Sequence, residues 1–250
     1  MPIPIYKQSG ETSLDAIKRF QSARTDLADA RLSFAGRLDP LAEGVLVVLV
    51  NEENDAGRRE AFLKTDKEYE FEVLFGFETD TYDILGLIQE VGGIEVEGVE
   101  SQLSKFSGTF MQKFPPFSSK HVKGKSMIEW AFLGRMDEIE VPEKEVSVSG
   151  IELIEMQKIT GAVLLENIVS KIEKVPDTFR TQQIIPNWRE VLGARGEEIF
   201  TIAKIKIACS TGTYMRTIAH DLGKVLGTFG CTYSIKRIQS GEYAIENCEF

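Results

Sequence analysis

The sequence predicts an α+β fold, and three observations carry that prediction. Residues 45–50 form an unbroken apolar run, too continuous for a surface strand. Residues 69–75 and 201–207 alternate in side-chain character, as strands do. Amphipathic stretches beginning at residues 12–13 and 213 flank these strands and a third near 99–106 interrupts them, without a regular strand–helix–strand period, which disfavours a doubly wound parallel sheet.

Taken in order, Thr12 or Ser13 caps a helix whose apolar positions Leu14, Ile17 and Phe20 share one face. Gly44 leads into the buried strand 45–50. In the next strand Tyr69, Phe71, Val73 and Phe75 point one way, and Glu70 and Glu72 give the other face an acidic character. Val99, Leu103 and Phe106 mark a short amphipathic helix. Ile205 and Ile207 alternate with Lys204 and Lys206, and the helix from 213 to 226 is closed by Gly227. Residues 157–199, interrupted by Pro176 and Pro186, pattern poorly and read as an insertion within a single domain spanning 1–250.

The chain has 250 residues, 42% of them hydrophobic and 27% charged, enough to bury a core. Its net charge of −10 argues at first against a nucleic-acid partner, because phosphate contacts need positive charge. By position, residues 51–100 carry −11 and the rest of the chain +1, so a neutral or basic binding face remains available. No apolar run reaches the ~18 residues of a membrane span, and no basic-then-apolar leader opens the chain. Cys209, Cys231 and Cys248 are odd in number and widely spaced, as expected of reduced thiols in a cytoplasmic protein. His121 and His220 stand at no metal-ligand spacing from a cysteine, and no glycine-rich phosphate loop is present, so neither metal nor cofactor is expected.

The segment Ala35-Gly36-Arg37-Leu38-Asp39-Pro40-Leu41-Ala42-Glu43-Gly44-Val45-Leu46 places an aspartate on a restricted turn just before the buried strand. Alone, Asp39 reads as a turn residue. It does not stand alone: this segment resembles the G-x-L-D-P-L-A-x-G-V-L hallmark of the tRNA pseudouridine synthase B (TruB) family. Further segments resemble that family in its order. Lys7 to Ser13 with Asp15 is similar to its N-terminal lysine block, with Gln8 at a proline position. Asp66-Lys67-Glu68-Tyr69, Gly76 and Thr79 to Gly86 are similar to its D-K-x-Y and T-D-T-x-D-x-x-G elements. Gln112 to Lys120 with Gly124-Lys125, Cys209 to Arg216 with Asp221-Leu222-Gly223, and Lys236-Arg237 with Ser240-Gly241 complete the series.

The resemblance implies a pseudouridine synthase core with a mixed, largely antiparallel sheet flanked by helices and loops. It also implies isomerisation of a uridine in RNA, with uridine 55 in the T loop of tRNA as the expected target. Such a reaction breaks the C1′–N1 bond and rejoins the sugar through C5, with no redox change. It calls for a carboxylate at the sugar–base junction and a group that stacks on an extruded base. The resemblance assigns Asp39 the first role and Tyr69 the second, with Arg216 pairing with Asp39, expected as a bidentate contact. Without the family context, Tyr69 would read as an inward strand residue and Arg216 as a helix-surface cation.

From Lys105 to Lys125 the chain has five lysines, no acid, and Phe110, Phe114 and Phe117 between them, a composition suited to phosphate contact and base stacking. A solvated lysine loop has the same composition. The expected RNA-contacting set is Lys7, Phe34, Arg37, Lys67, Asp80, Lys113, Phe117, Ser118, Lys120, Lys236 and Arg237. Phe34 stands where the family has a histidine that wedges out the target base. Glu52, Glu53, Glu70, Glu72, Glu95, Glu97 and Glu100 are expected mostly on faces turned away from the RNA. The family's C-terminal RNA-binding PUA domain is not evident before Phe250, and the protein is expected to act as a monomer. Three other readings remain open: a binding-only module, a synthase acting on another RNA, and a hydrolase pairing Asp39 with Asp80 or Asp83.

Overall fold

A computed structural model describes residues 2–249. Strand β1 (Ile3–Lys7) is followed by helix α1 (Ser13–Ser22), β2 (Leu32–Ala35), β3 (Ala42–Val50), α2 (Ala56–Leu63) and β4 (Lys67–Phe75). Then come β5 (Phe77–Thr79), β6 (Ile88–Val91), α3 (Val99–Leu103), β7 (Gly108–Lys113), β8 (His121–Val122), β9 (Lys125–Ser126) and α4 (Met127–Phe132). The chain continues through β10 (Glu143–Thr160), α5 (Gly161–Ile172), α6 (Thr181–Gly193), β11 (Ile199–Cys209), α7 (Met215–Val225), β12 (Gly230–Ser240) and β13 (Tyr243–Ala244).

The main sheet runs β1-β3-β12-β4-β11-β10-β7, with β2 added to β3 and β13 to β12. Only the β3–β12 pairing in it is parallel. The fold is therefore α+β with a mixed, mainly antiparallel sheet, as the sequence predicts. Thr12 caps α1 through a reciprocal capping box with Asp15. Val45 to Leu49 are all buried, because β3 is covered on both sides by two different apolar clusters.

The period of two in β4 decides which face is which. Phe71, Val73 and Phe75 join Ile205, Ile207 and Ile235 in a front core packed against α3 and α7. Glu68, Glu70 and Glu72 lie on the back, where Lys204 pairs with Glu70 at 2.8 Å, Lys206 with Glu68 at 3.6 Å, and Ser234 donates to Glu72 at 2.5 Å. Part of the acidic excess is thus neutralised on the face opposite Tyr69.

Residues 157–199 pack into the core. They complete β10, form α5 and α6, and bury Leu164, Ile168, Ile172, Ile184, Trp188 and Leu192 against Leu74, Phe77, Ile202 and Cys231. Trp188 is fully buried and its indole N–H donates to the Ile84 carbonyl at 3.0 Å. The helical period there was hard to read because Pro186 lies inside α6 rather than at its end. No helix among the described residues is long and apolar enough to cross a membrane.

Candidate active site

Asp39 sits in the short link between β2 and β3, which the N-terminal segment pins from beneath. Lys7 is fully buried, and its ammonium donates to the carbonyls of Gln8, Pro40 and Ala42 at 2.9, 3.1 and 2.6 Å. Burial pushes its pKa down to about 8. The Ser13 hydroxyl accepts from the Leu38 N–H and donates to the Leu38 carbonyl, while Gly10 N–H donates to Pro40. The N-terminal lysine block and the aspartate segment thus form one structural unit.

Arg237 holds the other end of this link. Its guanidinium donates to Val45 O at 2.7 Å and Gly36 O at 3.0 Å. Gly44 has φ +104°, and a Cβ there would lie 2.2 Å from the Arg237 carbonyl oxygen, so only glycine fits.

Arg216, the second residue of α7, is 4% exposed and anchors three partners. Its Nε donates to Asp39 Oδ2 at 2.9 Å, and its terminal nitrogens donate to Thr81 O at 2.8 Å and Phe117 O at 3.1 Å. The expected bidentate pair is therefore a single Nε contact, because the fork of the guanidinium is engaged by two backbone carbonyls. Asp83 Oδ2 lies 3.8 Å from the same Nε. Burial raises the Asp83 carboxyl to about 6 against the opposing effects of Arg216 and of the Thr81 and Leu85 donors.

These groups line a cavity of about 460 Å³, a volume suited to a small ligand or one extruded nucleotide. Asp39, Tyr69, Arg216, Arg37, Lys67, Phe117, Ser118 and Arg237 all border it. Asp39 is 33% exposed and so remains open to a substrate despite its partner. Burial raises the Tyr69 phenol above its ordinary value, so the hydroxyl stays protonated at neutral pH while the ring borders the cavity.

Other residues of the expected RNA-contacting set are placed differently. The Lys7 ammonium faces the Asp39 link rather than solvent. Lys67 is buried, and its ammonium donates to the carbonyls of Leu63 and Thr65. Arg237 is 1% exposed and its donors go to backbone. Ser118 is also buried, its hydroxyl turned to the Met127 sulfur. Phe34 lies outside the cavity and packs with Ile5, Ile17, Phe20 and Val48 beneath α1. Lys236 is level with Glu70 on the back of the sheet, because one step along β12 from Arg237 reverses the side-chain direction. Asp80 accepts from the Leu87 N–H and pairs with Arg180, which itself borders the cavity.

Lys105, Lys113, Lys120, Lys123 and Lys125 are exposed along the arm formed by residues 105–126. Gln112 fixes this arm to α7 by exchanging hydrogen bonds with the backbone of Tyr214 at 2.8 and 3.1 Å. Arg180 and Asp83 were not singled out as binding residues from sequence. Arg180 falls in the stretch read as an insertion, whereas Asp83 stood in plain view within the Thr79–Gly86 block.

Residues 24–175 match the family model for the N-terminal domain of TruB family pseudouridylate synthases, a match that extends into α5. The tRNA pseudouridine synthase B of Aquifex aeolicus is 28% identical over 97% of this chain and 69% of that protein. The protein of the same name from Trichormus variabilis is 32% identical over 96% of this chain and 67% of its own length. Among solved structures, a chain of a Cbf5–Nop10–Gar1 complex superposes with a TM-score of 0.58 at 16% identity, over 97% of this chain and 49% of that one, a likeness of fold. With its aspartate link, arginine anchor and sheet in the order that the sequence segments predict, the chain belongs to the TruB family of pseudouridylate synthases.

Proposed function

We propose that this protein converts a uridine of tRNA, at position 55 in the T loop, to pseudouridine, and that it does so as a monomeric catalytic domain in the cytoplasm. The observation that carries the reading is the Asp39 carboxylate, held at 2.9 Å by Arg216 yet accessible in a cavity bordered by the Tyr69 ring. The names and extent of the relatives support the tRNA target.

In this reading an extruded uridine enters the cavity and stacks on Tyr69. The Asp39 carboxylate acts at the sugar–base junction as the C1′–N1 bond breaks. The base then turns and rejoins C1′ through C5. N1 gains a proton and C5 loses one, so the product is an isomer and no electrons are exchanged. Arg216 holds Asp39 in place through its Nε, and the buried cation costs no reorganisation during the reaction. Tyr69 contributes through its ring, on which the extruded base stacks. The exposed lysines of the 105–126 arm supply contacts to the phosphate backbone.

Incubation with an unmodified tRNA transcript, followed by position-resolved detection of pseudouridine, tests the target. Product at uridine 55 supports the assignment. Product confined to another RNA, such as ribosomal RNA fragments offered in parallel, would replace it.

A further inference from the structure

We propose that Arg180, from the turn between α5 and α6, is a positioning residue of the active site that clasps the Phe117 arm against the Asp80 loop. The inference deepens the synthase reading and rests on it. Three contacts define the clasp. The Arg180 guanidinium donates to both Asp80 carboxylate oxygens, at 2.7 and 3.2 Å. Its carbon lies 4.5 Å from the centroid of the Phe117 ring and 5.6 Å from that of Phe132, two rings that meet edge-to-face at 5.5 Å. Phe117 in turn offers its carbonyl to Arg216, whose Nε holds Asp39. Two arginines thus grip one residue, one by its ring and one by its carbonyl, on the way to the catalytic carboxylate.

The backbone is arranged to present this side chain. Arg180 adopts φ 61° and ψ 23°, the left-handed region that a non-glycine residue seldom occupies, at the start of α6. Its carbonyl accepts from Gln183 and Ile184 at the start of that helix. Asp80 is itself fixed: its Oδ1 accepts from Leu87 N–H at 2.8 Å, and a Cβ on Gly86 would approach that oxygen to 2.7 Å. Arg180 and Asp80 side chains are only 17% and 22% exposed. A planar fork that must pair with a carboxylate while lying on an aromatic ring is a task that lysine cannot perform.

Arg180 therefore gives the α5–α6 pair a catalytic consequence beyond its contribution to the core. It closes one wall of the cavity and keeps the Phe117 carbonyl where Arg216 needs it. The clasp acts on the reaction geometry rather than on RNA affinity.

The test compares wild type with Arg180→Ala, Arg180→Lys, Asp80→Ala and the Arg180→Ala/Asp80→Ala pair. Single-turnover rates and dissociation constants are measured on a T-arm stem-loop at several salt concentrations, with Asp39→Asn as the inactive reference. Loss of positioning should lower the single-turnover rate of Arg180→Ala roughly 10- to 100-fold, with affinity and its salt dependence retained. Arg180→Lys should fail to restore the rate, and the double variant should be no slower than the worse single one. Phe117→Leu, which keeps Arg180 and its ion pair, should show the same rate defect even if Arg180→Ala folds poorly. Restoration by lysine, or a loss confined to affinity with a shallower salt dependence, would overturn the clasp in favour of a phosphate contact. So would unchanged rates in Arg180→Ala and Phe117→Leu. Activity retained by Asp39→Asn would instead overturn the synthase reading itself.

Discussion

Arg216 Nε lies 2.9 Å from Asp39 Oδ2 across a sequence separation of 177 residues. The same guanidinium also holds Thr81 and Phe117 by their carbonyls, so one buried side chain joins the aspartate link, the Thr79–Gly86 block and the RNA arm. A cation with three fixed acceptors defines a geometry more tightly than an ion pair alone.

Replacing Arg216 by lysine keeps the charge but cannot reach three acceptors. Arg216→Lys is expected to lower the single-turnover rate by roughly 100-fold, with much of the RNA affinity retained. Rapid-quench assays on a saturating stem-loop provide the measurement.

Asp83 gives a pH signature in stability. Burial pushes its carboxyl up to about 6 from the ordinary value of 3.8. The folded state therefore binds the proton more tightly than the unfolded state. The stabilisation is present below about pH 3.8 and is lost as pH rises through about 6. Asp83→Asn mimics the protonated form. It should be more stable than wild type at pH 7.5, by about 3 kcal/mol, and the gap should close towards pH 4. Urea unfolding at the two pH values measures the difference.

Gly44 bears the closest approach in the aspartate segment. An alanine there would bring a Cβ to 2.2 Å from the Arg237 carbonyl at φ +104°. Gly44→Ala is expected to destabilise the protein by about 3 kcal/mol or more, visible as a lower denaturation midpoint. Because the link carrying Asp39 runs directly into β3, the surviving folded fraction should also be slow.

Lys7 acts as a buried clamp. Lys7→Met keeps apolar bulk but removes the ammonium donor from the Ala42 carbonyl and leaves Pro40 only the Gly10 N–H. A loss of about 2 kcal/mol or more is expected, with a fall in turnover larger than any fall in RNA affinity. A surface phosphate contact would give the opposite pattern.

The exposed lysines of the 105–126 arm are proposed to contact the RNA backbone. Lys113→Ala or Lys120→Ala should each weaken binding modestly and reduce the slope of log affinity against log salt by about 0.7–0.9. Lys236→Ala, on the opposite sheet face beside Glu70, should leave that slope unchanged. Fluorescence anisotropy across a salt series distinguishes them.

Strands with one dominant environment were legible in the sequence. The unbroken apolar run of β3 and the alternation of β4 and β11 each follow from a fixed relation between residue spacing and burial. Asp39, Tyr69 and Arg216 were legible because they lie in segments with a family pattern. The direction of a basic side chain was not legible. Lys7, Lys67 and Arg237 look like RNA contacts as letters, yet each is buried with its donors on backbone carbonyls. Arg180 was hidden for another reason. Its partners Asp80 and Phe117 are distant in sequence, and only the packing of α5 and α6 against the core brings them together.

The Asp39 carboxylate is proposed to perform the isomerisation. Wild type and Asp39→Asn are incubated with unmodified tRNA transcript, and carbodiimide-dependent mass shifts are mapped along the RNA. Conversion of uridine 55 by wild type, none by Asp39→Asn, and retained RNA binding by both is the predicted result. Undiminished pseudouridine in the Asp39→Asn reaction would contradict the account.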